Sequence, residues 1–181
     1  MRHRLRFIFL SFVLSIVVFA QQRPNMIVSA ADIKVIQSSL GKFPLFDKEY
    51  QDAKQMVDAA IDAPMDVPVP KDAGGYTHER HKQNYNEMQR AGLLYQVTKQ
   101  EKYARFVNEM LLKYAALYPT LGIHPAAASE SPGKLFWQSL NETVFLVSTI
   151  QAYDCVYDAI SQADRKIIEE KLFRPMVRFF T

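Results

Sequence analysis

From residue 29 onward the apolar residues of this chain recur every three or four positions, and almost none alternate. A period near 3.6 collects them on one face of a helix, whereas a half-buried strand needs a period of two. The chain is therefore confined to packed helices. Ser29 and Asp32 have the spacing of a capping box, and Ile33, Ile36 and Leu40 follow before Gly41, which predicts a first helix. Phe46, Tyr50, Ala53, Val57 and Ile61 form the stripe of a second, stopped by Pro64. Three prolines and two glycines make residues 64–75 an irregular connection. Thr77 is positioned to cap a third helix, running to about residue 97. Thr98 and Glu101 would box a fourth, with Tyr103, Phe106, Met110, Leu111 and Tyr114 facing inward and an end before Pro119.

A second long loop covers residues 118–134, and a strongly apolar helix is expected over residues 135–159. Ser161 and Asp164 cap a sixth, which Pro175 should kink or interrupt. Helices joined by alternately short and long loops fit either a solenoid of helix hairpins or a closed ring of them. No sustained period such as the roughly 34-residue tetratricopeptide repeat is present. The expected fold is therefore all-α, with helical hairpins forming part of an incomplete α/α toroid. Residues 176–181 continue apolar without a stop signal, so the chain is expected to be the truncated front portion of that ring.

Charge adds a second constraint. The chain carries 22 basic and 19 acidic side chains, a formal +3. Arg2, Arg4 and Arg6 account for all of the excess, because without them basic and acidic residues balance at 19 each. A nucleic-acid-binding surface needs clustered basic residues in excess, so nucleic acid is excluded as a partner. Residues 7–20 hold no charge, and Val18, Phe19 and Ala20 resemble a cleavage site. A basic start, an apolar run and small residues make residues 1–20 a secretory signal peptide. Fourteen helical residues rise about 21 Å, short of the roughly 30 Å of a hydrocarbon core. The mature body, residues 21–181, is then expected in the periplasm or outside the cell, with no membrane attachment after cleavage. Cys155 is the single cysteine, which excludes a disulfide scaffold, and its apolar setting predicts burial. Hydrophobic residues at 49% of the chain exclude disorder.

Two polar clusters carry the chemistry. In the first, residues 70–81, paired glycines precede Tyr76, His78, Arg80 and His81. A zinc protease motif requires the second histidine where Lys82 stands, so no metal site is expected. Two readings stay open for this cluster: a solvated first helical turn, or a polar edge at which Tyr76, His78 and Arg80 contact sugar and carboxylate. In the second, residues 131–142, Gln138 and Asn141 sit three apart, which would place both amides on one face of an apolar helix. Buried amides need hydrogen-bond partners, supplied either by neighbouring helices or by a substrate carboxylate or hydroxyl. Trp137, the only tryptophan, reads as a core aromatic more readily than as a sugar platform. Asp154 and Asp158 read as solvated helix positions.

The segments PKDAGGYTHERHKQNY and SPGKLFWQSLNE, with LLYQVTKQEKY and KYAALYPTLG between them, resemble the N-terminal part of oligoalginate lyases. These enzymes form polysaccharide lyase family 17, related to the heparinase II/III group. The resemblance runs from about residue 24 to 181. It implies an exported enzyme whose α/α toroid precedes a β-sandwich, and whose substrate is an alginate oligosaccharide. Cleavage would proceed by β-elimination to an unsaturated uronate, without a cofactor. Asn141 matches a position that contacts substrate in the resembled enzymes, Gln138 sits one turn before it, and the loop ending in Ser131 lines the subsites. That loop, residues 125–130, holds no basic residue here. The family's acid–base groups match nothing in these 181 residues, so no catalytic residue is assigned and the chain alone is expected to be inactive. The alternative of a different class is a non-catalytic helical solenoid that binds a protein or glycan. The sequence sets no oligomeric state.

Overall fold

A computed structural model describes residues 23–127 and 130–180, so the signal peptide expected over residues 1–20 lies outside the described residues. Every regular element among the described residues is helical. They are α1 (Ala30–Ser39), α2 (Pro44–Asp62), α3 (Tyr76–Thr98), α4 (Glu101–Leu117), α5 (Ser139–Val156), α6 (Gln162–Ile168) and α7 (Arg174–Phe180). None of these helices is long and apolar enough to cross a membrane.

α3 and α5 form the central pair, with α4 packed on both and α1 and α2 outside α3. The inner face of α4 is as read: Tyr103, Phe106, Met110, Leu111 and Tyr114 are all buried. The α2 stripe is shallower, and only Val57 is fully enclosed. α3 and α5 approach closely because Gly92 has no side chain. A Cβ there would stand 3.0 Å from Cys155 Cβ and 3.1 Å from the Ala152 carbonyl. A polar seam lines the same contact, where Gln96 donates to the Cys155 carbonyl and Gln89 to Gln151. Cys155 is buried, and burial pushes its thiol up to about 12.

Several boundaries differ from expectation. The α1 capping box between Ser29 and Asp32 is present. Thr77, however, is not the α3 cap: the helix starts at Tyr76 after Gly75. Asp72 does the capping from outside the helix. Its carboxylate accepts the N–H groups of Gly75 (2.6 Å), Thr77 (3.0 Å) and His78 (3.2 Å), and the Thr77 hydroxyl as well. These bonds hold the Asp72 carboxyl down at about 2. Thr98 does not box α4 either. Its hydroxyl donates to the Leu94 carbonyl of its own helix, and α4 begins at Glu101 without a side-chain cap.

The larger difference is at α5, which starts at Ser139 rather than near residue 135. Leu135 and Phe136 are buried, as an apolar helix would require, but their N–H groups go to the Glu142 carboxylate. Trp137 is consequently half-buried on a non-helical turn instead of in the core. Asp154 also departs from its reading. It is 1% exposed rather than solvated, and it accepts from Arg23 (2.6 Å) and from the N–H groups of Asn25 and Met26. The first described residues are thereby strapped to α5. Near the C-terminus, the expected interruption takes the form of a π turn over Glu169–Phe173, just before Pro175.

Candidate functional site

The two polar clusters meet where α3 and α5 begin. His78 is in the first turn of α3 and Asn141 in the first turn of α5. The Asn141 amide nitrogen and His78 Nε2 lie 3.4 Å apart, within hydrogen-bond reach. His78 is 7% exposed and Asn141 is half-buried. The Phe136 ring stands edge-on to His78 at 5.3 Å and to His81 at 5.8 Å, so the turn before α5 props both histidines from below.

His81 and Asn84 continue the α3 face inward. The Asn84 amide donates to the Tyr114 hydroxyl (2.8 Å) and to the Asp66 carbonyl (2.9 Å). The Tyr114 hydroxyl also lies 2.9 Å from His81 Nδ1, within hydrogen-bond reach. Burial drives His81 down to about 4, so it is neutral at pH 7. Burial also raises Tyr114 well above the ordinary phenol range. A neutral imidazole locked to a buried phenol is a structural bridge between α3 and α4. It is not the solvated turn that stood as one reading of the first cluster.

Tyr76 and Arg80 are each two residues from His78, a rotation of about 200° that turns them to the other side of α3. Tyr76 is exposed and its hydroxyl donates to Asp66. Arg80 donates to the Asp66 carbonyl (3.5 Å) and to Gln83 (3.3 Å), and pairs with Glu87 at 3.7 Å. Its charge is already engaged within the protein. Gln138 occupies the N-cap of α5, so it and Asn141 are not two positions of one helix face, and its side chain makes no cap bond. Ser131 is exposed, and its carbonyl accepts from Ser139 N–H (2.9 Å), which ties the loop to the start of α5. The structure thus brings His78, Asn141, Gln138 and the Ser131 loop to one end of the α3–α5 pair and leaves Tyr76 and Arg80 outside.

Sequence reasoning missed three participants. Glu142 is fully buried, and a lone glutamate in the first turn of a helix reads as a favourable surface charge. Asp72 had a legible signal, since an acidic residue before paired glycines is a local capping pattern. His124 is buried in the loop, where its Nδ1 accepts from Ala126 N–H at 3.0 Å and burial lowers its pKa. Among the described residues, no group of three or more His, Cys, Asp or Glu side chains is placed to hold a metal ion.

Known proteins are similar in sequence over most of the chain. The family model for alginate lyase matches residues 37–181. An exo-oligoalginate lyase of Saccharophagus degradans is 45% identical over 159 residues, covering 87% of this chain and 22% of that protein. An alginate lyase of Stenotrophomonas maltophilia is 45% identical over 155 residues, covering 85% of this chain and 21% of that protein. The chain spans about a fifth of the length of the curated relatives it matches. Both polar clusters, and the helix starts that join them, fall inside the matched region, and the chain belongs to the alginate lyase family.

Proposed function

We propose that this chain supplies the substrate-binding wall of an exported lyase that shortens alginate oligosaccharides by β-elimination. The carrying observation is the meeting of His78 and Asn141 at 3.4 Å between two helix starts. Helix N-termini carry partial positive charge and unpaired N–H groups, which favour a carboxylate. The α3 start is already occupied by Asp72, but α5 begins without a side-chain cap, beside Asn141 and Gln138. A uronate carboxylate held there by neutral donors has its charge partly offset, which acidifies the neighbouring C5 proton. A base then removes that proton, an acid protonates the departing O4, and a C4–C5 double bond forms.

Neither role falls to the residues described here. His81 and Tyr114 are sealed against each other in the core, and the buried His78 imidazole is paired with Asn141. The wall orients and neutralises, while the proton transfers belong to groups outside these 181 residues. Incubating the purified 181-residue chain with oligoalginate tests this division. The ultraviolet absorbance of the conjugated product should stay flat, and steady turnover would contradict it. Export rests on the basic, apolar and small-residue order of residues 1–20. N-terminal sequencing of the secreted protein should begin at Gln21 or Gln22.

A further inference from the structure

We infer that Glu142 is a positioning residue. It fixes the turn that sets Trp137 and Gln138 beside Asn141, and so shapes the saccharide-facing surface. The inference rests on the reading of that surface as the substrate wall. One carboxylate oxygen, Glu142 Oε2, accepts three consecutive backbone N–H groups: Lys134 at 3.2 Å, Leu135 at 2.8 Å and Phe136 at 2.9 Å. Successive N–H groups converging on one point form a concave nest, the arrangement proteins use to hold anions. Here the acceptor is an internal, fully buried carboxyl oxygen.

The glycine at the head of the turn fits the same device. A Cβ on Gly133 would fall 2.3 Å from the Phe136 carbonyl oxygen and 3.0 Å from Glu142 Oε2. No side chain can be placed there without opening the turn. Inside the turn, Leu135 and Phe136 point into the core, and Phe136 supports the His78 and His81 rings. Outside it, Trp137 and Gln138 are left half-exposed at the helix start. Burying a carboxylate is costly, and burial raises the pKa of Glu142. An apolar residue would fill the same core volume, but it would accept no N–H groups and would release the turn.

The test compares Glu142→Leu, Glu142→Gln and Gly133→Ala in the 181-residue chain. Trp137, the only tryptophan, reports the turn directly through its emission, and an oligoalginate trisaccharide serves as the binding probe. Glutamine keeps an acceptor oxygen where Oε2 stands. Glu142→Gln should therefore retain native Trp137 emission and bind within about threefold of the parent, whereas Glu142→Leu should shift the emission and weaken binding by about tenfold or more. Gly133→Ala, which leaves the carboxylate in place, should resemble Glu142→Leu and decides the matter if Glu142→Leu does not fold. Native emission and undiminished binding in the folded leucine variant, or in Gly133→Ala, would overturn the inference, as would a glutamine variant as impaired as leucine. If the parent chain itself fails to bind the trisaccharide, the substrate-wall reading falls. Trp137 emission alone then decides whether Glu142 holds the turn.

Discussion

His81 is held neutral in the core, and this has a consequence for stability that runs against acid. Its pKa falls from the ordinary 6.5 to about 4 on burial beside Tyr114. Between those values the unfolded chain binds more protons than the folded one. The stabilisation is therefore complete above pH 6.5 and is lost as pH falls toward 4. At about 1.4 kcal/mol per pH unit, the full effect is at most ~3.5 kcal/mol. Replacing His81 with glutamine, which keeps an acceptor for Tyr114 but cannot titrate, should lower stability at neutral pH and flatten the loss on acidification. Thermal midpoints of parent and variant that fall in parallel from about pH 7.5 to 4.5 would contradict this. The same scale shows where sequence reading stops. Asp154 has local neighbours that suit a surface helix, yet its partner Arg23 is 131 positions away. Only the folded chain brings the two together, and a one-dimensional pattern holds no trace of it.

The elements were legible where their signals were local. The α4 stripe, the α1 capping box and the stop before Pro64 each depend on residues within a few positions of one another. The start of α5 was not legible, because Glu142 draws backbone groups six to eight residues earlier out of helical pairing. Nor was the closeness of α3 and α5, which depends on Gly92 facing Ala152 and Cys155. Glycine within a helix ordinarily costs about 1 kcal/mol relative to alanine, so its presence here is offset by the close crossing. Gly92→Val should then destabilise the chain, because the overpacking cost of about 1–3 kcal/mol exceeds any gain in helix propensity. A thermal melt checks it: a lower midpoint is expected, and an unchanged or higher one would show that α5 yields without cost. The α3–α5 angle matters beyond stability, since it sets the distance between His78 and Asn141.

For the whole molecule, the charge balance frames the substrate question. Once residues 1–20 are set aside, basic and acidic side chains are equal in number, yet the proposed ligand is a polyanion. On the proposed reading, recognition would come from local groups at the α3–α5 junction rather than from a general field. Arg80, two residues from His78, is committed to Glu87, Gln83 and Asp66. α5 also leaves Leu140, Val144 and Val147 exposed at spacings of four and three, an apolar stripe running away from Asn141 along the same helix. The all-helical fold and the family were legible in the two clusters, whereas the division of their residues between junction and support was visible only in three dimensions. The most direct test of the central claim is a titration of the 181-residue chain with an oligoalginate trisaccharide, followed through Trp137 fluorescence. The account predicts a saturable change that Asn141→Ala weakens by about tenfold or more while the thermal midpoint stays nearly constant. No saturable change, or equal binding by Asn141→Ala, would contradict it.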